Sequence, residues 1–350
     1  MGSLTFVGLG LGAKGIPLEG IEVIKEADVV YLEYYTTPHE ATLLRELERI
    51  TGKELTVVDR GFVEDGKKIL AEAGRSNVVL AVPGDPLIAT THNDLRVRAT
   101  RSGIRTVVVH AASIASSAAS VSGLHYYKFG GTITVTRGNV SAMQQVYHIL
   151  HKNLLFGMHT LLLLEADVES GEDVSPDKAM QGLLGAERNF NRKVISDDTF
   201  ALVVSRVGRA DFEARAGTVL DLSKLDFGER PHCLIIPGKL HFTEVEAISA
   251  VFSISQNDIG DNAKNIKRTA EVLVPRYVEK TRKALESVKG SLGKEHASLL
   301  ENVELYMADA ERFLVNGEDE LAMLNIGYAE GLLDSLRFTG LLPPNSNDVQ

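Results

Sequence analysis

The stretch Leu4-Thr5-Phe6-Val7-Gly8-Leu9-Gly10-Leu11-Gly12-Ala13 runs from a short apolar segment directly into a glycine-rich loop, as a buried strand does when it leaves a parallel sheet. Working outward, strand patterns recur at 29–34, 55–58, 78–82 and 106–110, with helical patterns at 18–25, 39–51, 63–73 and 87–102 between them. Leu43, Leu44, Leu47 and Ile50 put one apolar stripe on the second of these helices. Strands alternating with helices predict a parallel sheet covered by helices. Beyond a small-residue segment at 111–123, strand patterns at 132–136, 159–164, 200–205 and 233–236 alternate with helical ones at 140–150, 176–188 and 243–252. They predict a second α/β domain with a mixed sheet. From about Ser255 the strand pattern stops and three helical stretches follow, 263–288, 295–315 and 318–336. Leu299, Leu300, Val303, Tyr306, Met307 and Ala310 keep the rhythm of an amphipathic helix. Pro275 is expected to kink or divide the first of the three, and the tail 343–350 to fray. The expected organisation is 1–112 and 113–255 as α/β domains and 256–350 as an all-α domain.

The composition narrows the function classes. With 350 residues, 44% hydrophobic and 24% charged, the chain is of ordinary globular type, not disordered or fibrous. Its one cysteine, Cys233, cannot form an internal disulfide, so a reducing cytoplasm is expected. Apolar runs such as 161–164 fall far short of the ~20 residues that span a bilayer. The first residues read straight into a strand, so secretion and lipidation are not expected. A net charge of −10 has the wrong sign for a protein that coats a phosphate backbone. Locally, 264–294 carries nine basic residues against Glu271, Glu279 and Glu286. Such a run is a solvated helix face or a docking site for a partner such as RNA.

Three clusters can carry chemistry. Residues 8–13 formally satisfy G-x-G-x-x-A, and Glu33 could serve as the ribose-binding acid of a dinucleotide site. Against that, Lys14-Gly15-Ile16-Pro17 intervenes before the helix, which is expected to begin after Pro17. A tight strand exit and a backbone loop lining another ligand remain the alternatives. In the second cluster, 82–87 followed by Thr90-Thr91-His92, a buried strand ends in a turn. Asp85 either caps that turn or faces a ligand at the strand ends. The third, His110-Ala111-Ala112-Ser113-Ile114-Ala115-Ser116, is built of small residues that permit close approach of a ligand or of a helix. No G-x-S-x-G elbow surrounds Ser113. His148 and His151 lack the companions of a zinc motif, and Cys233 reads as an inert core thiol.

Taken together the clusters are identified as a resemblance. The region from Leu4 to about Ser253 resembles the diphthine synthases, S-adenosylmethionine-dependent methyltransferases of the tetrapyrrole-methylase fold. The stretches that carry it are GLGLG (8–12), PGDPLIATTHNDLRVRATRSG (83–103), HAASI (110–114), GLHYYKFG (123–130), HTLLLLE (159–165), DDTFALVVSRVG (197–208) and DFGERPHCLIIPGKLH (226–241). The combination of GDPLIATTH, GLHYYKFG and PGKLH is the narrowest of these. The resemblance implies two α/β domains with the cofactor in the cleft between them, and a homodimer. It also implies cofactor contacts at Leu11, Asp85, Ile88, Ser113, Ile114, Leu164, Val207 and His232. Val207 stands where an alanine is common, Ala112 where proline is frequent, and the segment 136–139 is shorter than in typical members. The last hundred residues resemble a small archaeal helical domain through LAMLNIGYAEGLLDSLRFTGLL (321–342).

The implied reaction is methylation of the amino group of the 3-amino-3-carboxypropyl side chain on a histidine of elongation factor 2. The alternatives are a precorrin-type tetrapyrrole methyltransferase and a noncatalytic scaffold. Neither a membrane nor direct nucleic-acid binding is expected, apart from the basic stretch 264–294. An apolar, partly acidic cleft would suit the cationic cofactor, and no metal is needed. Glu165, His110 and His92, at strand ends, are candidates to take the amine's proton; the sequence does not choose among them.

Overall fold

The computed structural model describes residues 2–12, 14–35, 42–138, 140–166, 171, 173–288, 293 and 296–341. It contains two five-stranded sheets and a separate set of helices. The first sheet has the order β3-β2-β4-β1-β5, with β1 (Ser3–Gly8), β2 (Val29–Glu33), β3 (Thr56–Val58), β4 (Asn77–Val82) and β5 (Arg105–Val109) all parallel. Its crossovers are α1 (Leu18–Glu26), α2 (Leu43–Thr51), α3 (Arg60–Asp65), α4 (Lys67–Ala73) and α5 (His92–Arg101). Both faces of β4 are buried. Val78, Leu80 and Val82 pack with Phe6, Ile69 and Leu95, while Val79 and Ala81 pack with Val7, Ile24 and Leu47. That is why the central strands read as unbroken apolar runs.

The second sheet has the order β6-β7-β10-β8-β9. β6 (Ile133–Val135) and β7 (Thr160–Leu164) are parallel, and β8 (Phe200–Ser205), β9 (Glu213–Thr218) and β10 (His232–Ile236) complete it through antiparallel pairs. The expected mixed sheet is therefore present. Around it lie α6 (Ile114–Ser122), α7 (Val140–Leu155), α8 (Pro176–Phe190), α9 (Val219–Leu222) and α10 (Phe242–Phe252). Ala118, Phe200, Leu202, Val204, Cys233 and Ile248 form its core. Residues 1–190 and 194–265 make one compact unit.

The second compact unit comprises 191–193 and 266–350. Its described part is three helices, α11 (Thr269–Val288), α12 (Ala297–Val315) and α13 (Asp319–Phe338). Val274, Leu285, Val303, Met307, Ile326 and Leu333 fill its core. Two basic residues of α11 pair with acids of the neighbouring helices, Lys280 with Glu330 and Arg282 with Glu311, and Arg268 just before the helix pairs with Asp319. Over 266–350 ten basic residues stand against fourteen acidic ones, so the excess is local to the stretch 264–294 and is not a property of the unit. Lys289, Lys294 and the tail 343–350 lie outside the described residues.

Several expectations change. Gly66, at φ +61, divides the helix expected at 63–73 into α3 and α4. The helix expected from 87 begins at His92, because 83–91 is spent on a turn. The segment 111–123 contains a full helix, α6, whose Ala118 and Ala119 allow close packing. Strand β9 was not legible as one. Pro275 sits inside α11 without dividing it, the loss of one backbone donor being outweighed by the buried face on either side. The start of the helix expected at 39–51 lies outside the described residues; α2 covers its remainder.

Candidate functional site

A cavity of about 570 Å³ opens at the carboxyl ends of the first sheet's strands. On the other side it is closed by the end of β7, the end of β8 and the start of β10, which antiparallel pairing brings to one edge of the second sheet. Ligands of open α/β sheets sit at such strand ends. The floor is backbone. Gly10 and Gly84 form an isolated bridge, the Gly84 amide donating to the Gly10 carbonyl at 2.8 Å and the Gly10 amide returning a bond at 3.2 Å. Both have positive φ, +72 and +67, which glycine adopts at no steric cost. A Cβ on Gly12 would lie 2.2 Å from the Gly208 carbonyl oxygen, so the glycine loop of the first sheet touches the loop after β8 backbone to backbone. The first helix opens only at Leu18, with Pro17 before it, so no helix N-terminus meets the glycine loop as a dinucleotide site requires. Ala13 of that pattern lies outside the described residues.

Leu11, Asp85, Ile88, Ser113, Ile114, Leu164, Val207 and His232 all line this cavity, although they span more than two hundred positions of sequence. Asp85 is both things its position allowed. It is buried, its Oδ1 accepts from the Leu87 amide at 3.2 Å within its own turn, and its Oδ2 takes His110 Nδ1 at 2.7 Å. His232 Nδ1 is 2.8 Å from Ser205 Oγ. Burial, together with the nearby Arg206 guanidinium, holds its imidazole below the usual histidine range, so it is neutral at pH 7. Of the three candidate proton acceptors, His92 and Glu165 line the cavity and His110 is not among the lining residues.

Sequence reading missed Tyr35, Arg60, Arg206 and Arg209, which also line it. Arg206, at φ +55, donates to the carbonyls of Phe227, Glu229 and Asp211 and pairs with the Asp211 carboxylate at 2.9 Å. The lining holds the carboxylates of Asp85 and Glu165 together with three arginines, of which Arg206 and Arg209 pair with Asp211. The only sequence signal for Tyr35, Arg60 and Arg206 was their place one or two residues past a strand end, and Arg209 lies four past one.

At the opposite end of the second sheet, about 16 Å along β7 at 3.3 Å per residue, the stretches GLHYYKFG, HTLLLLE and PGKLH converge on Glu244. Its fully buried carboxylate accepts from the His125 amide at 2.8 Å, the His241 amide at 2.7 Å, His159 Nε2 at 2.9 Å and Lys128 Nζ. Burial alone would raise this carboxyl; the His241 amide, Lys128, the His125 amide and His159 outweigh it and hold it at about 2. The Gly238 amide donates to His159 Nδ1 at 3.0 Å, so His159 carries its proton on Nε2, and burial keeps the ring below its ordinary pKa. His148 packs on Phe190 with ring centroids 4.8 Å apart.

A cavity held between two α/β halves at their strand ends defines a methylase of the tetrapyrrole type: residues 3–223 match the family model described as Tetrapyrrole (Corrin/Porphyrin) Methylases. A second model, described as a protein of unknown function (DUF357), matches 276–342. The diphthine synthase of Methanococcus maripaludis (strain C7) is 36% identical over 252 residues, which cover 71% of this chain and 98% of that one. The diphthine synthase of Methanocaldococcus jannaschii is 35% identical over 250 residues, 70% of this chain and 97% of that one. A crystal structure of diphthine synthase superposes with a TM-score of 0.64 at 31% identity, covering 73% of this chain and 97% of that one. The chain belongs to the diphthine synthase family.

Proposed function

We propose that this protein transfers methyl groups from S-adenosylmethionine to the amino group of the 3-amino-3-carboxypropyl side chain carried by a histidine of elongation factor 2. The observation that carries the reading is the strand-end cavity lined by residues from every stretch that resembles the family along its first sheet. The cavity fits an adenosyl ligand. About 570 Å³ lies within the ~300–1,000 Å³ of small-molecule sites, and the positive-φ glycines Gly10 and Gly84 expose backbone to a close-lying ligand. Leu11, Asp85, Ile88, Ser113, Ile114, Leu164, Val207 and His232 are the residues proposed to hold it. When bound, the cofactor supplies an electrophilic methyl group on a sulfonium. The chain's own task is then to hold the amine in line and to strip it of its proton. Among the described residues no cluster of three or more His, Cys, Asp or Glu is arranged to hold a metal ion, and the reaction read here asks for none.

The same reading carries a division into 1–112, 113–255 and 256–350, a homodimer, an archaeal source and a cytoplasmic location. Its support is the resemblance of the motifs and of the helical segment, together with the single cysteine. Among the described residues no helix is long and apolar enough to cross a membrane. Mass spectrometry of elongation factor 2 bearing the unmethylated side chain, after incubation with this protein and methyl-labelled cofactor, tests the activity. Mass increments on that histidine are expected; unchanged mass with cofactor demonstrably bound overturns the reading. Light scattering at twice the protomer mass tests the dimer.

A further inference from the structure

Glu33, Tyr35 and His92 are three ionisable side chains buried together beside the cavity, at 0%, 4% and 2% exposure. Glu33 ends β2, Tyr35 follows two residues on, and His92 opens α5 after the 83–91 turn. Tyr35 and His92 line the cavity wall, and Glu33 lies behind them. The ring of His92 is fixed at both nitrogens. Nδ1 is 3.0 Å from the Pro86 carbonyl oxygen, which can only accept, so Nδ1 carries the proton. In the neutral ring Nε2 is then the acceptor, and the Tyr35 hydroxyl, 3.2 Å away, donates to it. The Glu33 carboxylate stands 3.6 Å from the same Nε2 through Oε2, while its Oε1 takes the Tyr35 amide at 3.2 Å.

This arrangement places a basic nitrogen, a hydroxyl already hydrogen-bonded to it and a carboxylate in one row at the cavity wall. The two other candidates for proton removal are committed elsewhere. Glu165 Oε2 accepts the Arg137 amide at 2.6 Å and lies 3.6 Å from Arg137 Nε. The His110 side chain is 73% exposed and tied to Asp85.

Resting on the methyltransferase reading above, we propose that Tyr35, His92 and Glu33 form a proton relay for the substrate amine. Tyr35 Oη accepts a proton from the ammonium nitrogen as its own hydroxyl proton passes to His92 Nε2. The electron pair of the broken N–H bond stays on nitrogen, now free to attack. Tyr35 is a neutral phenol before and after, so the net change is one proton moved from the amine to His92. The imidazolium keeps Nδ1–H on Pro86 and presents its new Nε2–H to Glu33, and the proton passes to solvent after methyl transfer. Tyr35 is the catalytic residue in this scheme; His92 and Glu33 act through it. Glu33 and Tyr35 are the titratable side chains against His92 Nε2. Behind Tyr35, the Arg60 guanidinium from α3 lies 5.1 Å above the ring centroid, disfavouring a build-up of positive charge there except beside Glu33.

Two measurements test the relay. Two-bond ¹H–¹⁵N spectra of the imidazole rings of the full-length protein, without cofactor or substrate, read the tautomer directly. His92 is expected to be protonated on Nδ1 and bare on Nε2; the opposite tautomer overturns the proposal. Single-turnover methylation by Tyr35→Phe and by His92→Asn, followed from pH 7 to 9, reads the chemistry. At pH 7 each rate is expected to fall by roughly 10²-fold. The ratio of wild type to variant should then narrow by roughly tenfold per pH unit, because solvent takes over removal of the proton as the amine's own neutral fraction grows. Cofactor affinity by calorimetry should stay within about twofold, since neither variant alters the glycine cradle. A structural role would give a ratio that does not change with pH, and that outcome overturns the relay. Wild-type protein that binds cofactor and methylates nothing would instead overturn the functional reading, and the tautomer measurement would be unaffected by it.

Discussion

Replacing Glu244 by glutamine should destabilise the α/β unit by about 3–5 kcal/mol at neutral pH while leaving the cavity untouched. The carboxylate has four donors and no other charge of its own sign within the cluster. A glutamine keeps one acceptor oxygen and turns an NH₂ group toward N–H donors, so two charge-assisted bonds are lost and Lys128 is left beside an unfavourable partner. The pH dependence gives an independent estimate. Glu244 is held at about 2 against an ordinary 4.5. A depressed carboxyl stabilises the fold fully above its unfolded value and loses that stabilisation as pH falls through the folded one. The linked stability is roughly 3 kcal/mol at pH 7 and about 1.4 kcal/mol at pH 3, so the wild type should lose its advantage over the variant on acidification. His159, held low chiefly by burial, shifts stability in the same direction, its share disappearing as pH falls below the ordinary histidine value.

Cys233 offers the assay. It is the only cysteine of the chain, it lies buried in β10, and burial pushes its thiol up to about 12. It should be unreactive until the second sheet opens. Pulsed thiol exchange with 2,2′-dithiodipyridine, which reacts with exposed thiols at acid as well as neutral pH, along a urea gradient therefore reports unfolding of this unit alone, independent of the helices after 266. The Glu244→Gln midpoint should fall clearly at pH 7 and much less at pH 3. A midpoint equal to wild type at pH 7, or an equal deficit at both pH values, would refute the account of the cluster.

Three further outcomes follow from the geometry. Asp85→Ala should weaken S-adenosylmethionine binding by roughly 1.5–3 kcal/mol in calorimetry, since the carboxylate holds both its own turn and His110; an unchanged Kd removes it from the site. Gly10→Val should abolish cofactor binding, because a Cβ there meets the Gly15 carbonyl oxygen at 2.5 Å at a φ of +72, which reopens the loop; normal affinity would make the loop merely structural. The fragment 1–265 should bind cofactor with the affinity of the full chain, since residues 1–190 and 194–265 form their own compact unit; loss of binding in a folded fragment would assign the helices to the site.

The first sheet was legible because its central strands are buried on both faces and therefore apolar at every position, Val78 to Val82 being the clearest case. β9 was not, because Glu213-Ala214-Arg215-Ala216-Gly217-Thr218 sits at the sheet edge with no large apolar residue facing inward. α6 was hidden by the opposite circumstance: Ile114-Ala115-Ser116-Ser117-Ala118 carries too little apolar bulk to mark a face, since close packing there is done by alanine and serine. Within the site, the residues next to glycine turns could be named because each turn betrays a strand end. Tyr35, Arg60 and Arg206 could not. Their roles come from partners far off in sequence, such as His92 for Tyr35 and the 227 and 229 carbonyls for Arg206, and spacing carries no record of such pairs.

Of the three narrowest motifs, GDPLIATTH lines the cavity, whereas GLHYYKFG and PGKLH serve a buried carboxylate. His125, Lys128, His159, Gly238 and His241 all serve Glu244 or its histidine partner, at the amino end of β7, whereas Leu164 at the carboxyl end of the same strand lines the cavity. β10 spans the same two places in reverse, His232 at the cavity and Gly238 just past its end at the cluster. A strand fixed by charge-assisted bonds at one end, and paired along its length with a second strand fixed at the same end, has little freedom to slide. Its far end can therefore present Leu164 and His232 to a ligand in a fixed register. Facing them, the contact of Gly12 with Gly208 leaves no room for a side chain, so the opposing loop is set by backbone alone. The shape of the cavity thus depends on two kinds of rigidity: glycine contacts at its mouth and a buried carboxylate some five residues away. Glu244→Gln should lower stability without lowering the affinity of the molecules that remain folded, whereas Gly10→Val should abolish the affinity itself, with a cost in stability from the strained loop added to it.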